Sequence, residues 1–271
     1  MKFFSTVLRV ALLITSVTAG PLASHHLGRR EFGRTARGER RTTRSYGPGT
    51  SNVIHLNRTV QETYSSNWAG AVLIGAGYTS VSGDVKVPVP QLPRGADPYT
   101  TYCASAWVGI DGDTCNTAIL QTGINVCIQG GNPSYSAWFE WYPDYAHDFP
   151  NVQISAGNQV KMTVNATTKS SGTATVENLS TGVSVIHTFS HGLEGNLCEF
   201  NAEWIVEDFS VNNGLAPFAD FDTVVFSNAV ASAGRHTYGP SSASIMDIYQ
   251  DLILTSSSVT EDSVTVNYIQ T

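Results

Sequence analysis

Two short stretches carry residues whose side chains could do chemistry together. The first is SAWVGIDGDTCNTAILQTG, Ser105 to Gly123. An apolar, strand-like piece around Trp107 and Val108 leads into the turn-prone cluster Asp111-Gly112-Asp113. A second strand-like piece, Ala118 to Leu120, then delivers Gln121. A hairpin built this way can expose a polar amide at a sheet edge. The second stretch, NAEWIVEDF from Asn201 to Phe209, sets Glu203 into another apolar strand. A Gln and a Glu suit hydrolysis without a metal or a covalent nucleophile. That reaction needs a base to activate water and a donor to hold the developing oxyanion. A carboxylate near its reference pKa of about 4.3 is ionised in weak acid, where histidine is protonated and useless as a base. The Gln121 amide supplies two N–H donors that do not titrate. Pattern alone favours the plainer reading, that both residues are surface polar positions on half-buried strands.

Other hydrolase signatures are missing. There is no G-x-S-x-G elbow and no H-E-x-x-H helix. Asp113-Thr114 runs into Cys115, so the Asp-Thr-Gly of aspartic proteases is absent too. His187 and His191, four apart, fall in a strand and loop and read as surface histidines.

The elements that must position such a pair are strands. Val81, Gly83, Val85, Val87 and Val89 alternate, as do Val160, Met162 and Val164. Thr173, Thr175 and Glu177 run in opposite phase to Ala174 and Val176, between turn clusters at 170–172 and 180–182. Val259, Val264, Val266 and Tyr268 predict a terminal hairpin around Glu261-Asp262. No window shows convincing helical periodicity. Short strands at regular spacing argue an all-β sandwich of antiparallel sheets. Some 210 residues suffice for one core burying roughly 70% of the extended chain's surface.

The N-terminus reads differently. Lys2 and an apolar run to Val17, followed by Val17-Thr18-Ala19, read as a signal peptide over 1–19, too short to span a membrane. Residues 20–60 are Arg-, Ser-, Thr- and Gly-rich and lack material for a core, so they read as a largely disordered basic propeptide. Its pairs Arg29-Arg30 and Arg40-Arg41 are open to processing proteases. The first 60 residues hold ten of the chain's 15 Lys plus Arg, and only two of its 22 acids. From residue 61 onward, 20 acids face 5 bases, a formal charge of −15. An acidic body argues against nucleic acid as a partner and suits an acid medium, where carboxylates protonate and self-repulsion falls.

Four cysteines, Cys103, Cys115, Cys127 and Cys198, lie behind the signal peptide and favour two disulfides, with three possible connectivities. No C-x-x-C spacing supports a zinc site, and nothing calls for another metal or a cofactor. Asn57, Asn165 and Asn178 head glycosylation sequons; the secretory context favours the latter two.

Together with SNWAGAVLIG (Ser66 to Gly75) and AWFEWYP (Ala137 to Pro143), the two stretches closely resemble the glutamic peptidases, or eqolisins, secreted fungal endopeptidases active in acid. The resemblance runs in order from about Tyr64 to Phe221; the last fifty residues match loosely. It implies a catalytic dyad of Gln121, in LQTG, and Glu203, in NAEW. It implies that Trp68, Trp107, Asp111, Glu140 and Tyr142 line or support the substrate cleft, with Asp111 or Glu140 hydrogen-bonding the dyad. It pairs Cys115 with Cys198, which leaves Cys103 with Cys127. It also implies one catalytic domain over 61–271, built as two bent seven-stranded antiparallel sheets of concanavalin or jelly-roll type. The expected enzyme is pepstatin-insensitive, monomeric, extracellular and free of membrane, with protein or peptide substrates and its own propeptide as partners. Ser136 stands where the family carries an acid, and the loop from Asn125 to Pro133 differs, so subsite preference does not carry over.

Two readings from other classes remain at this point. One is a β-sandwich glycoside hydrolase using Glu140 and Glu203, which needs the two carboxyls about 5–9 Å apart. The other is a lectin-like module whose tryptophans stack on sugars.

Overall fold

The alternating pattern folds into two large antiparallel sheets. The computed structural model describes residues 62–270 except residue 213, together with the backbone of Arg40–Arg41. The signal peptide and all of the basic head except that pair lie outside the described residues. Strands of five residues or more are numbered in chain order: β1 Trp68–Ile74, β2 Tyr78–Lys86, β3 Tyr102–Ile110, β4 Ile119–Gln129, β5 Asn132–Tyr142, β6 Gln159–Thr168, β7 Ser171–Asn178, β8 Val183–Phe189, β9 Asn201–Glu207, β10 Thr223–Ala233, β11 Ser244–Gln250, β12 Thr255–Val259 and β13 Val264–Tyr268.

One sheet has the order β11-β1-β9-β3-β4-β5, flanked by the short pieces Leu252–Ile253 and His147–Asp148, with Glu62–Ser65 parallel to β11. The other runs β8-β7-β6-β2-β10-β13-β12, with His236–Tyr238 beside β10. Seven strands per sheet are expected from the family; the sheets have nine and eight, because pieces of two to four residues attach at their margins. Among the described residues no helix is long and apolar enough to cross a membrane.

Between the sheets, period two sends Ala202, Trp204 and Val206 of β9 and Ala104, Ala106, Val108 and Ile110 of β3 into the core, against Val81 and Val85 of β2 and Val160, Met162 and Val164 of β6. Trp204 Nε1 donates to the Ser82 carbonyl at 2.9 Å, stapling β9 to β2 across the sandwich. Cys103 and Cys127 face each other in the β3–β4 ladder and are joined. Cys115–Cys198 ties the β3–β4 turn to the segment before β9.

Two local expectations are corrected. The sequon at Asn178 does not present a glycan in this fold: its side chain is buried and its amide donates to the Gln153 carbonyl at 2.8 Å and Asn158 Oδ1 at 2.9 Å. Asn165 is exposed. Arg40–Arg41, expected in a flexible segment, forms an antiparallel ladder with Ser210–Val211, just beyond β9.

Asp208, at the end of β9, is buried and accepts one hydrogen bond, from Gln250 Nε2 at 2.8 Å. Its other oxygen has no partner. Burial pushes its carboxyl up to about 7, the Gln250 bond opposing in part. Because the folded pKa lies above the unfolded one, folding favours the protonated form. Stability is therefore fullest below pH 4 and falls as pH rises towards 7, by roughly 4 kcal/mol in total for the full shift. The Asp208→Asn variant should lose less thermal stability than the wild type between pH 4 and pH 7.5. An equal drop in Tm for both proteins contradicts this.

Candidate active site

The face of the first sheet turned away from the core is laid out in rows by strand register. Glu203 of β9 pairs with Val72 on one side and Gly109 of β3 on the other. Gly109 pairs in turn with Gln121 of β4, and Gln121 with Glu140 of β5. The row therefore reads Val72, Glu203, Gly109, Gln121, Glu140. Gln121 sits in the middle of the sheet, between β3 and β5, and not at an edge as its hairpin setting suggested. The reason is that β4 extends from Ile119 to Gln129, long enough to pair along both neighbours. Glu203 and Gln121 stand two strand spacings apart, about 10 Å at the backbone, with a residue lacking a side chain between them.

That gap has a floor of tryptophan. A Cβ on Gly109 would lie 2.7 Å from the Trp107 ring and 3.3 Å from Gln121 Cβ. The next row is Gly70, Ile205, Trp107, Gly123, Trp138. A Cβ on Gly123 would meet Trp107 Cβ at 2.6 Å and the Trp138 ring at 2.9 Å, so both glycines exist to seat the rings. Trp68 meets Trp107 edge-on, centroids 4.9 Å apart. Trp68, Trp107 and Trp138, with Val72, Ile119, Ile205, Met246 and the partly buried Tyr142, form one apolar cluster on this face. Trp141 instead points into the inter-sheet core.

Gln121 and Glu203 are both fully buried in the whole chain. All four of their polar side-chain atoms lack a hydrogen-bond partner among the described residues. Buried polar groups are almost always paired, so four unmet atoms flanking a bare glycine mark a place built for a polar guest. Burial, with Asp113 and Asp111 and more weakly Glu207 adding repulsion, raises the Glu203 carboxyl well above the usual range. The Asp113 amide opposes this, although it makes no regular hydrogen bond to either oxygen. A base of ordinary acidity was expected; the buried site holds one that binds its proton more tightly.

Asp111 does not hydrogen-bond the dyad. Its two oxygens accept four backbone N–H groups, from Cys198 and Glu199 (2.7 and 2.8 Å) and from Phe200 and Asn201 (2.7 and 3.1 Å). Residue 111 has φ of 69°, which turns its side chain back under the segment that feeds β9. Asn201 Oδ1 in turn accepts from the Thr114 amide at 2.9 Å. Asp111 is therefore an anchor that fixes the start of β9, the strand that carries Glu203. It sits near Cys115 and Cys198, but joined sulfurs and a carboxylate already bonded to four N–H groups make a poor metal site.

Sequence reasoning missed Gly109 and Glu207. The signal for Glu207 was present: period two puts Glu203, Ile205 and Glu207 of NAEWIVE on one face. Glu203 and Glu140 stand three strand spacings apart, about 14 Å at the backbone. With Gln121 between them, that is a poor frame for a glycosidase carboxylate pair.

Comparison with known proteins gives a consistent picture. The Peptidase A4 family model matches residues 66–268. Aspergillopepsin-2 of Aspergillus niger is 53% identical over 282 residues, covering 98% of this chain and 99% of that protein. Scytalidopepsin B of Scytalidium lignicola is 35% identical over 277 residues, covering 99% and 100%. Among solved structures, scytalido-glutamic peptidase with a transition state analog inhibitor aligns at a TM-score of 0.68 and 39% identity, over 75% of this chain and 98% of that one. Aspergilloglutamic peptidase from Aspergillus niger aligns at 0.61 and 63% identity, over 62% and 99%.

Proposed function

The chain belongs to the peptidase A4 family and is a glutamic endopeptidase, and we propose that Gln121 and Glu203 are its catalytic dyad. The observation that carries this reading is the row itself: two residues with unmet buried polar atoms, facing across Gly109 on a tryptophan floor. Ionised Glu203 takes a proton from water. The hydroxide adds to the scissile carbonyl, and the Gln121 N–H groups bond the oxyanion. Glu203 then returns the proton to the amide nitrogen as the C–N bond breaks. One group serves as base and then acid, and the neutral partner does not titrate.

This chemistry needs an open site. Burial favours the protonated form of Glu203, and a polypeptide cannot reach the side chain while it is fully buried. Admitting water reduces the desolvation penalty and lowers its pKa towards the working range. We assign the closed state to a proform whose basic head, 20–60, is held to an acidic body carrying 20 acids and 5 bases. The Arg40–Arg41 ladder with Ser210–Val211 supports this reading by tying the head close to the end of the Glu203 strand. Carboxylates protonate below about pH 4, weakening the charge attraction. The chain is made for secretion by its apolar N-terminal run.

Incubating the purified full-length protein with denatured protein tests both parts. At pH 3, with pepstatin present, the head should be lost and peptides released; at pH 7 neither should occur. No peptide release at pH 3 refutes the dyad reading. Release with the head still attached refutes the closed proform.

A further inference from the structure

We propose that Glu207 is a positioning residue for the dyad, holding the Trp107 ring through its indole N–H and placing a second carboxylate on the same face of the same strand, two rows beyond Glu203. This rests on the dyad reading above. Trp107 Nε1 donates to Glu207 Oε2 at 2.9 Å, with both residues buried. The ring so held is the one a Cβ on Gly109 would strike, so it forms the floor between Glu203 and Gln121. Trp68, the other ring against it, stands directly opposite Glu207 in the β1–β9 ladder. Ser105 stands opposite on the other side, and its hydroxyl accepts from Trp138 Nε1 at 3.1 Å. Rows one, two and three of this face are thus linked: the carboxylate at the third row fixes the ring of the second, and the ring packs under the first.

Glu207 also acts by charge. The acidic groups that act on Glu203 are Asp113 and Asp111 from the β3–β4 turn and Glu207 from its own strand; Glu140 of β5 shares the row but stands three strands away. Glu207 adds a negative charge that favours protonated Glu203. Ring position and base strength therefore depend on one side chain, and two variants separate them. Glu207→Gln keeps an oxygen acceptor for the indole and removes the charge. Glu207→Leu removes both.

The measurement is kcat and KM against pH for wild type and both variants after acid activation. Glu207→Gln should keep its maximal kcat within about threefold. On the acid limb, which reports the ionisation of the bound enzyme's base, it should retain about twofold more of its own maximum than wild type at the same pH. Glu207→Leu should lose kcat by about tenfold or more, because the ring it leaves unheld borders the reacting groups. A Gln variant whose acid limb superimposes on wild type overturns the proposal. So does a Gln variant that loses as much kcat as the Leu variant. If Glu207→Leu does not fold, the isosteric Gln variant decides alone. An inactive wild type, or an active Glu203→Gln, would instead refute the underlying dyad.

Discussion

Glu203→Gln is expected to abolish peptide cleavage while preserving the fold. Losing a general base costs about 10²-fold or more in rate. The substitution changes no volume and keeps a neutral group where the closed chain already favours a protonated one. Glu203 is fully buried with both oxygens unpartnered, so its ionised form costs stability in the closed state. A carboxyl raised in the fold stabilises most in acid and loses that contribution as pH rises. The variant should therefore match wild-type thermal stability at pH 3 and exceed it at neutral pH. Steady-state cleavage of a peptide at pH 3 checks the first claim and thermal melts at the two pH values check the second. A variant retaining more than about a tenth of the wild-type rate would remove Glu203 from the mechanism, since the expected loss is at least tenfold greater than that.

Gln121→Ala is expected to lower kcat by about 10²–10³-fold, the usual effect of deleting one oxyanion donor. Its amide carries no titrating proton, so the acid limb of the kcat profile should stay in place. That sets it apart from the Glu207 variants, in which the limb moves. The Gln121 amide makes no hydrogen bond that the deletion would break, so the fold should tolerate it. An active Gln121→Ala enzyme would mean that the oxyanion is held elsewhere.

Much of this architecture was legible in the sequence because strands write a short-range signal. Val160, Met162 and Val164 are buried as their alternation predicts, and the hairpin around Glu261-Asp262 forms. What the sequence did not show depends on register between distant strands. The Glu203–Gly109–Gln121 row needs β9 aligned with β3 across some ninety residues of chain, and no local pattern fixes that alignment. Asp111 was expected to bond the dyad because the family resemblance places it at the cleft. Its backbone turn instead aims the carboxylate at four amides 87 to 90 residues away. Asn178 looked like a surface sequon because Asn-x-Ser is read without regard to burial. The pairing of Arg40–Arg41 with Ser210–Val211 escaped notice because a two-residue strand in a polar head has no periodicity to detect.

The central claim is that Gln121 and Glu203 act on the same water and the same tetrahedral carbon across Gly109. The double variant Gln121→Ala/Glu203→Gln measures this most directly. Groups that act as a unit are strongly non-additive, so one deletion costs nearly as much as both. The double variant should fall to a kcat/KM within about threefold of the weaker single variant. A loss equal to the product of the two single losses, about 10⁴-fold or more, would show the two residues working independently and would contradict the account.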